Sequence, residues 1–221
     1  MRRLAAVAGV GVLVAVAWPA AQSARPAAAA IACDATALQR LAPAGTTITA
    51  AVAVPASATE PAHCRVDGHA ASPGNTVNFR LGLPSDWNGK FYFEGVGGLG
   101  GAIGSLAKGL ARGYASASTD TGHVASDPDW GKSRAKEIDY GYRGTHVTAV
   151  AAKALTASFY QRPPAHAYFN GCSNGGRQAL MEVQRYPSDF DGVIAGDPAT
   201  GTPMQVGRAV FFQRLLASKA N

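Results

Sequence analysis

The hydrophobic pattern changes period several times along this chain, and each change marks an element. Thr46–Val54 and residues 76–84 alternate apolar with polar positions and predict strands. Asp86-Trp87-Asn88-Gly89 is a turn signal, followed by a second strand at Lys90–Glu94. Ahead of these, residues 35–41 predict one or two helical turns behind an Asp34 cap. Residues 105–112 predict a short helix and residues 114–119 a strand of small residues, with polar loop from there to Lys136. Between residues 142 and 160, Val147, Val150, Ala151, Ala154, Leu155 and Phe159 recur at helical spacing until Pro163-Pro164 stops the helix. A short strand at 166–169, a helix over about 176–186 with Ala179, Leu180 and Val183 on one face, and a strand at 191–196 complete the pattern. Strands alternating with helices predict an α/β sheet, largely parallel beyond its first hairpin.

Composition changes this picture mainly at the N-terminus. Met1-Arg2-Arg3 precedes an uncharged apolar stretch from Leu4 to Ala17 and then small residues, the pattern of a secretory signal peptide. The stretch is shorter than the roughly 20 residues a spanning helix needs. Residues 1–30 are therefore expected to be leader and residues 31–221 the folded chain, exported and without a membrane anchor. The net charge of +6 includes Arg2, Arg3 and Arg25; without them, 17 basic residues face 14 acidic ones. No basic run remains, so no nucleic-acid partner is expected. In an exported chain, Cys33 and Cys64 are expected to pair, closing a loop of about 30 residues worth about 3–4 kcal/mol. Cys172 is then left over.

The candidate chemistry lies in two glycine-rich turns. Gly171-x-Ser173-x-Gly175 falls between a predicted strand and a predicted helix, the setting of a nucleophile elbow. There a strained turn would project the Ser173 hydroxyl at the positive end of the helix, and the Asn174 amide would meet a developing oxyanion. The loop from Gly95 to Gly101 admits two readings. It could supply a second oxyanion amide from Gly97 or Gly98. Alternatively, Gly95-x-Gly97-x-x-Gly100 with Asp120 at the end of the next strand fits a dinucleotide fingerprint and an oxidoreductase. A serine hydrolase of the α/β-hydrolase kind needs an acid and then a histidine after its serine. All five histidines (His63, His69, His123, His146 and His166) precede Ser173. His146 and His166 are expected to be solvated or capping, His123 to be a structural hydrogen-bonder, and no residue spacing suggests a metal site.

Several long blocks, in order, resemble the tannase and feruloyl esterase family. They are Gly171-Cys172-Ser173-Asn174-Gly175-Gly176-Arg177-Gln178-Ala179-Leu180-Met181-Glu182-Val183-Gln184-Arg185-Tyr186-Pro187, then Phe190-Asp191-Gly192-Val193-Ile194-Ala195-Gly196-Asp197-Pro198-Ala199. Ser118-Thr119-Asp120-Thr121-Gly122-His123, Asp139-Tyr140-Gly141-Tyr142-Arg143 and the glycine loop after Trp87-Asn88-Gly89-Lys90-Phe91 match as well. The resemblance implies an α/β-hydrolase core with a mostly parallel sheet, a secreted carboxylesterase acting on small aromatic acid esters, and Ser173 as nucleophile. It further implies that Cys172 bonds a cysteine beside the catalytic histidine. It places that cysteine, the catalytic Asp and His, the last core strands and a lid domain that carries calcium beyond Asn221. By this reading the 221 residues are the N-terminal half of the enzyme, inactive or nearly so alone, and hold no cofactor themselves.

Overall fold

The computed structural model describes residues 31–219, and the expected leader at 1–30 lies outside the described residues. Seven strands form one sheet: β1 (Thr46–Val54), β2 (His63–Ser72), β3 (Asn75–Pro84), β4 (Lys90–Glu94), β5 (Ala115–Thr119), β6 (His166–Cys172) and β7 (Gly192–Gly196). Their spatial order is β1-β2-β3-β5-β4-β6-β7. The first three form an antiparallel meander, and β3 also runs antiparallel to β5. The strands β5, β4, β6 and β7 are mutually parallel, as expected for the core of an α/β hydrolase. The antiparallel part is one strand larger than the sequence suggested. The strand β2 contains Gly68 and charged Arg65 and Asp67, which mask its alternation. Arg80 on β3 reaches back to Asp67 at 2.6 Å, so these charges pair across neighbouring strands.

Among the described residues, six α-helices accompany the sheet: α1 (Ala35–Gln39), α2 (Ala107–Leu110), α3 (Arg134–Ile138), α4 (Gly144–Tyr160), α5 (Asn174–Arg185) and α6 (Thr202–Lys219), with α4 and α5 packed against its strands. Asp34 caps α1 as expected, accepting from the Ala37 amide at 2.9 Å. The segment expected to be loop before Lys136 in fact leads into α3 and a π-helical turn, Asp139–Arg143, that runs into α4. Buried Asp139 anchors this turn by accepting from Ser72, Asn75 and Arg143 at 2.6–2.8 Å. The sequence signal for α6 is weak; Val210, Phe211, Phe212, Leu215 and Leu216 on it are all exposed.

Two helices bury faces that only partly coincide with their apolar letters: Ala151, Leu155 and Ala179 are buried as expected, Val150 and Val183 are not. On α4, Val150 is exposed, while Thr148, Ala149, Ala152, Leu155 and Thr156 are fully buried. Small residues let the helix lie close to the sheet, and Thr156 returns its hydroxyl to the Ala152 carbonyl at 2.7 Å. On α5, Val183 is half exposed, whereas Asn174, Gln178, Ala179 and Glu182 are buried. Beneath α5, Phe93 and Phe169 stack at 5.3 Å and Phe190 meets both edge-on, forming the apolar floor of the parallel region.

Polar contacts join α5 to α4. His146 stacks on Tyr186 at 3.7 Å and its Nδ1 lies 2.6 Å from an Asp189 carboxylate oxygen. Lys153 donates to the Asp189 carbonyl at 2.6 Å and lies 3.3 Å from its carboxylate. Glu182 is 1% exposed, with neither carboxylate oxygen hydrogen-bonded to a described residue. Burial first, and the Asp189 charge second, push its pKa up to about 9.

The expected Cys33–Cys64 disulfide is present and ties the segment before α1 to β2. Replacing both cysteines with alanine should destabilise the protein by about 3 kcal/mol in the loop-closure model, measured by urea unfolding under non-reducing conditions.

Glu182 makes a second prediction. The unfolded chain releases this proton near pH 4.5, while the folded chain holds it to about pH 9. Across that window folding takes up a proton, so its contribution to stability falls as pH rises and levels off above pH 9. Urea midpoints of Glu182→Gln against pH should decline less steeply than those of the parent.

Candidate active site

The strand β6 ends at Cys172, and α5 begins at Asn174, so a single residue turns the chain. Ser173 takes that turn at φ 57° and ψ −119°, a conformation costing on the order of 1–3 kcal/mol for a residue with a Cβ. The backbone offsets this strain. The Ser173 amide donates to the Gly196 carbonyl at 3.0 Å, and its carbonyl accepts from Arg177 at 3.0 Å and Ala199 at 2.9 Å. The side chain is exposed, as the elbow reading expects.

The motif's glycines are steric requirements. A Cβ on Gly171 would lie 2.4 Å from the Gly175 carbonyl group, and one on Gly175 would lie 3.1 Å from the backbone of Gly95. Strand, helix and glycine loop thus meet backbone to backbone. This brings the loop from Gly95 to Gly101 alongside the first turn of α5. Neither Gly97 nor Gly98 has any atom within 4 Å of where a Cβ would sit, so both border open space. The Asn174 amide occupies the first turn of α5, where no carbonyl four residues earlier in the helix can accept it. Ser173, Asn174, Gly97 and Gly98 are therefore brought to one place. Cys172 lies next to them, exposed and with a free thiol.

The dinucleotide reading fails on geometry. After Gly100 the chain makes no helix until Ala107, and α2 is only four residues long, so the loop does not open directly into a helix as the fingerprint requires. Asp120 is 2% exposed, and its carboxylate is occupied by the Asn78 amide at 3.1 Å, the Asn78 side chain at 2.6 Å and the Gly122 amide at 2.8 Å. Burial raises its pKa against the pull of those bonds. It is a strut between β3 and the turn after β5, not a ribose ligand.

The histidines are committed elsewhere. His63 and His166 begin their strands at the edge of the sheet opposite the elbow, His63 contacting the Pro61 carbonyl and His166 lying exposed. His69 sits on β2, four strands from β6, about 19 Å away at ordinary strand spacing. His123 is at the correct end but buried, stacked on Trp130 at 4.0 Å and edge-on to Tyr140; burial lowers its pKa despite a hydrogen bond to the Leu99 carbonyl. It is structural, as expected. His146 was expected to be solvated or capping; instead it is half-buried in the Tyr186 and Asp189 contacts.

The fold does assemble one group that spacing did not suggest. Potential ligand atoms of His146, Glu182 and Asp189 lie within 4.8 Å of one another. The Asp189 carboxylate in this group already has a cationic partner in Lys153, at 3.3 Å. Arg177 and Gln178, both contacting the site, escaped the sequence reading. The signal for Gln178 was a polar stripe at Asn174, Gln178 and Glu182, four residues apart on the buried face of α5.

Comparisons with known proteins agree with this geometry. The family model described as tannase and feruloyl esterase matches residues 64–218. Over 178 residues the chain is 36% identical to mono(2-hydroxyethyl) terephthalate hydrolase from Piscinibacter sakaiensis, covering 70% of this chain and 30% of that protein. Over 139 residues it is 41% identical to a probable feruloyl esterase of Arthroderma benhamiae, covering 58% and 26%. The crystal structure of feruloyl esterase B from Aspergillus oryzae superposes with a TM-score of 0.67 at 31% identity, covering 72% of this chain and 36% of that one. The chain thus spans about a third or less of the length of the proteins it matches. With the elbow, the glycine loop and the sheet all in agreement, the chain belongs to the tannase and feruloyl esterase family.

Proposed function

We propose that this chain carries the nucleophile half of a carboxylic ester hydrolase that cleaves small aromatic acid esters. The observation that carries the reading is Ser173, held at positive φ at the start of α5 with its side chain exposed beside the glycine loop. Its oxygen would attack the ester carbonyl carbon while its proton passes to a base. The Asn174 amide and one amide of the Gly97–Gly98 pair would bind the oxyanion, with the dipole of α5 adding to them. Collapse of the intermediate expels the alcohol, which takes up the proton, and water then hydrolyses the acyl-serine by the same steps in reverse. Water is the only co-reactant this chemistry consumes.

The acid class comes from the relatives' names, feruloyl esters and mono(2-hydroxyethyl) terephthalate, which share an aromatic acid. The Cys33–Cys64 disulfide and the leader pattern support export. No described helix is long and apolar enough to cross a membrane.

In this reading the base is supplied from outside these 221 residues, in keeping with His63 and His166 starting strands at the far end of the sheet and His69 lying four strands from β6. The purified chain is accordingly expected to hydrolyse methyl ferulate and p-nitrophenyl acetate near the background rate, with no change in Ser173→Ala. Substantial turnover that Ser173→Ala removes would overturn the requirement for an outside base. In a longer chain supplying the base, Ser173→Ala should lower kcat by about 10⁴-fold or more. Activity surviving that substitution would refute the nucleophile.

A further inference from the structure

We infer that Gln178, together with the Asn174 side chain, is a positioning residue that aims the Gly97 amide at the oxyanion by gripping both polar groups of Val96. This inference rests on the serine acyl-transfer reading. Val96 is buried where β4 opens into the glycine loop, and its amide donates to Gln178 Oε1 at 3.2 Å. Its carbonyl accepts from Gln178 Nε2 at 3.2 Å and from Asn174 Nδ2 at 3.0 Å. Gln178 and Asn174 are each 2% exposed, so these bonds form away from water.

The consequence follows from peptide geometry. The peptide joining Val96 to Gly97 is trans, so its carbonyl and its N–H point in opposite directions across one plane. A Val96 carbonyl fastened onto the side chains of α5 turns the Gly97 N–H away from them, toward the open side of the loop. That amide has no hydrogen-bond acceptor among the described residues. The arrangement also separates the two candidate glycines. The Gly97 carbonyl accepts from the Gly100 amide at 3.2 Å, so the next peptide, carrying the Gly98 N–H, is set by a turn within the loop. Only the Gly97 amide is fixed relative to the elbow.

A third residue keeps the grip in register. Arg177 donates from Nε to Asn174 Oδ1 at 2.8 Å and from its other two nitrogens to the carbonyls of Tyr140 and Gly141, at 2.8 and 2.7 Å. The Asn174 amide can then present only its nitrogen to Val96. Without these side chains, a loop with glycine at 95, 97, 98, 100 and 101 has many backbone states, and an oxyanion donor displaced by a fraction of an ångström loses most of its effect.

Two measurements on the purified chain test this. In ¹⁵N-labelled protein the Gly97 amide should have an order parameter of about 0.85, falling below about 0.6 in Gln178→Leu, with the amide of Gly89, in the turn before β4 at the opposite end of the sheet, unchanged as control. Gln178→Glu keeps the size and the acceptor for the Val96 amide but, once ionised, has no donor for its carbonyl. It should show the same loss at high pH and recover at low pH, and it serves if the leucine variant does not fold. Phenylboronic acid, which adds to a serine oxygen as a tetrahedral anion, should bind Gln178→Leu at least about 10-fold more weakly than the parent and should not bind Ser173→Ala. A Gly97 order parameter unchanged in both Gln178 variants, or lost without any loss of boronate affinity, overturns the positioning role. Boronate binding that is absent in the parent or survives Ser173→Ala refutes the serine reading instead, and the order parameters alone then decide whether Gln178 orients Gly97.

Discussion

Where β6 turns into α5, four stretches of backbone meet with no side chain between them. Gly171 lies against Gly175, Gly175 lies against Gly95, and Gly176 lies against the Gly196 carbonyl, where a Cβ would approach to 2.5 Å. This contact brings strand, helix, glycine loop and the end of β7 together around one residue. It leaves Ser173 to turn the chain through a conformation that a residue with a Cβ rarely adopts. The strain is tolerable because the surrounding backbone over-determines it, with both polar groups of Ser173 hydrogen-bonded.

Much of the rest of the molecule serves that contact. The stacked Phe93 and Phe169, with Phe190 edge-on to both, form the floor beneath it, and Phe169 lies so close under Gly95 that a Cβ there would come within 2.9 Å. On the other side the first turns of α5 carry polar side chains inward. Asn174 and Gln178 hold the glycine loop, and Arg177 ties Asn174 to the π-helical turn. That turn is itself anchored by Asp139 to residues at the β2–β3 hairpin. A continuous set of hydrogen bonds therefore runs from the antiparallel meander to the elbow.

Most of the elements were legible because their signals are local. Alternation marked β1 and β3, a turn signal announced β4, the Asp34 cap marked α1, and the double proline bounded α4. Strand–turn–helix context around Gly171-x-Ser173-x-Gly175 located the elbow before any geometry was known. The strand β2 was hidden by charges that pair with a neighbouring strand rather than face a core. The buried faces of α4 and α5 were read only in part: apolar periodicity found Leu155 and Ala179, but these helices also bury small and polar residues it does not mark. On α4 close approach to the sheet selects Ala and Thr. On α5 the buried positions hold loops and charges in place instead of filling a core.

The chain's letters alone determined which residue turns at the elbow, which two cysteines pair and which family the blocks match, because each depends on short spacings or on runs of contiguous sequence. They left Gly97 and Gly98 equivalent, allowed the glycine loop a dinucleotide reading, and said nothing about Glu182. Tertiary structure decided those. The side chains of Gln178 and Asn174 reach Val96 from about 80 residues away. Asp120 is consumed by Asn78 on another strand, and Glu182 meets Asp189 and His146 only once α5 packs on α4. Hydrogen-bond partners distant in the chain leave no periodic mark in it, so the orientation of one amide and the charge of one carboxyl had to wait for the fold.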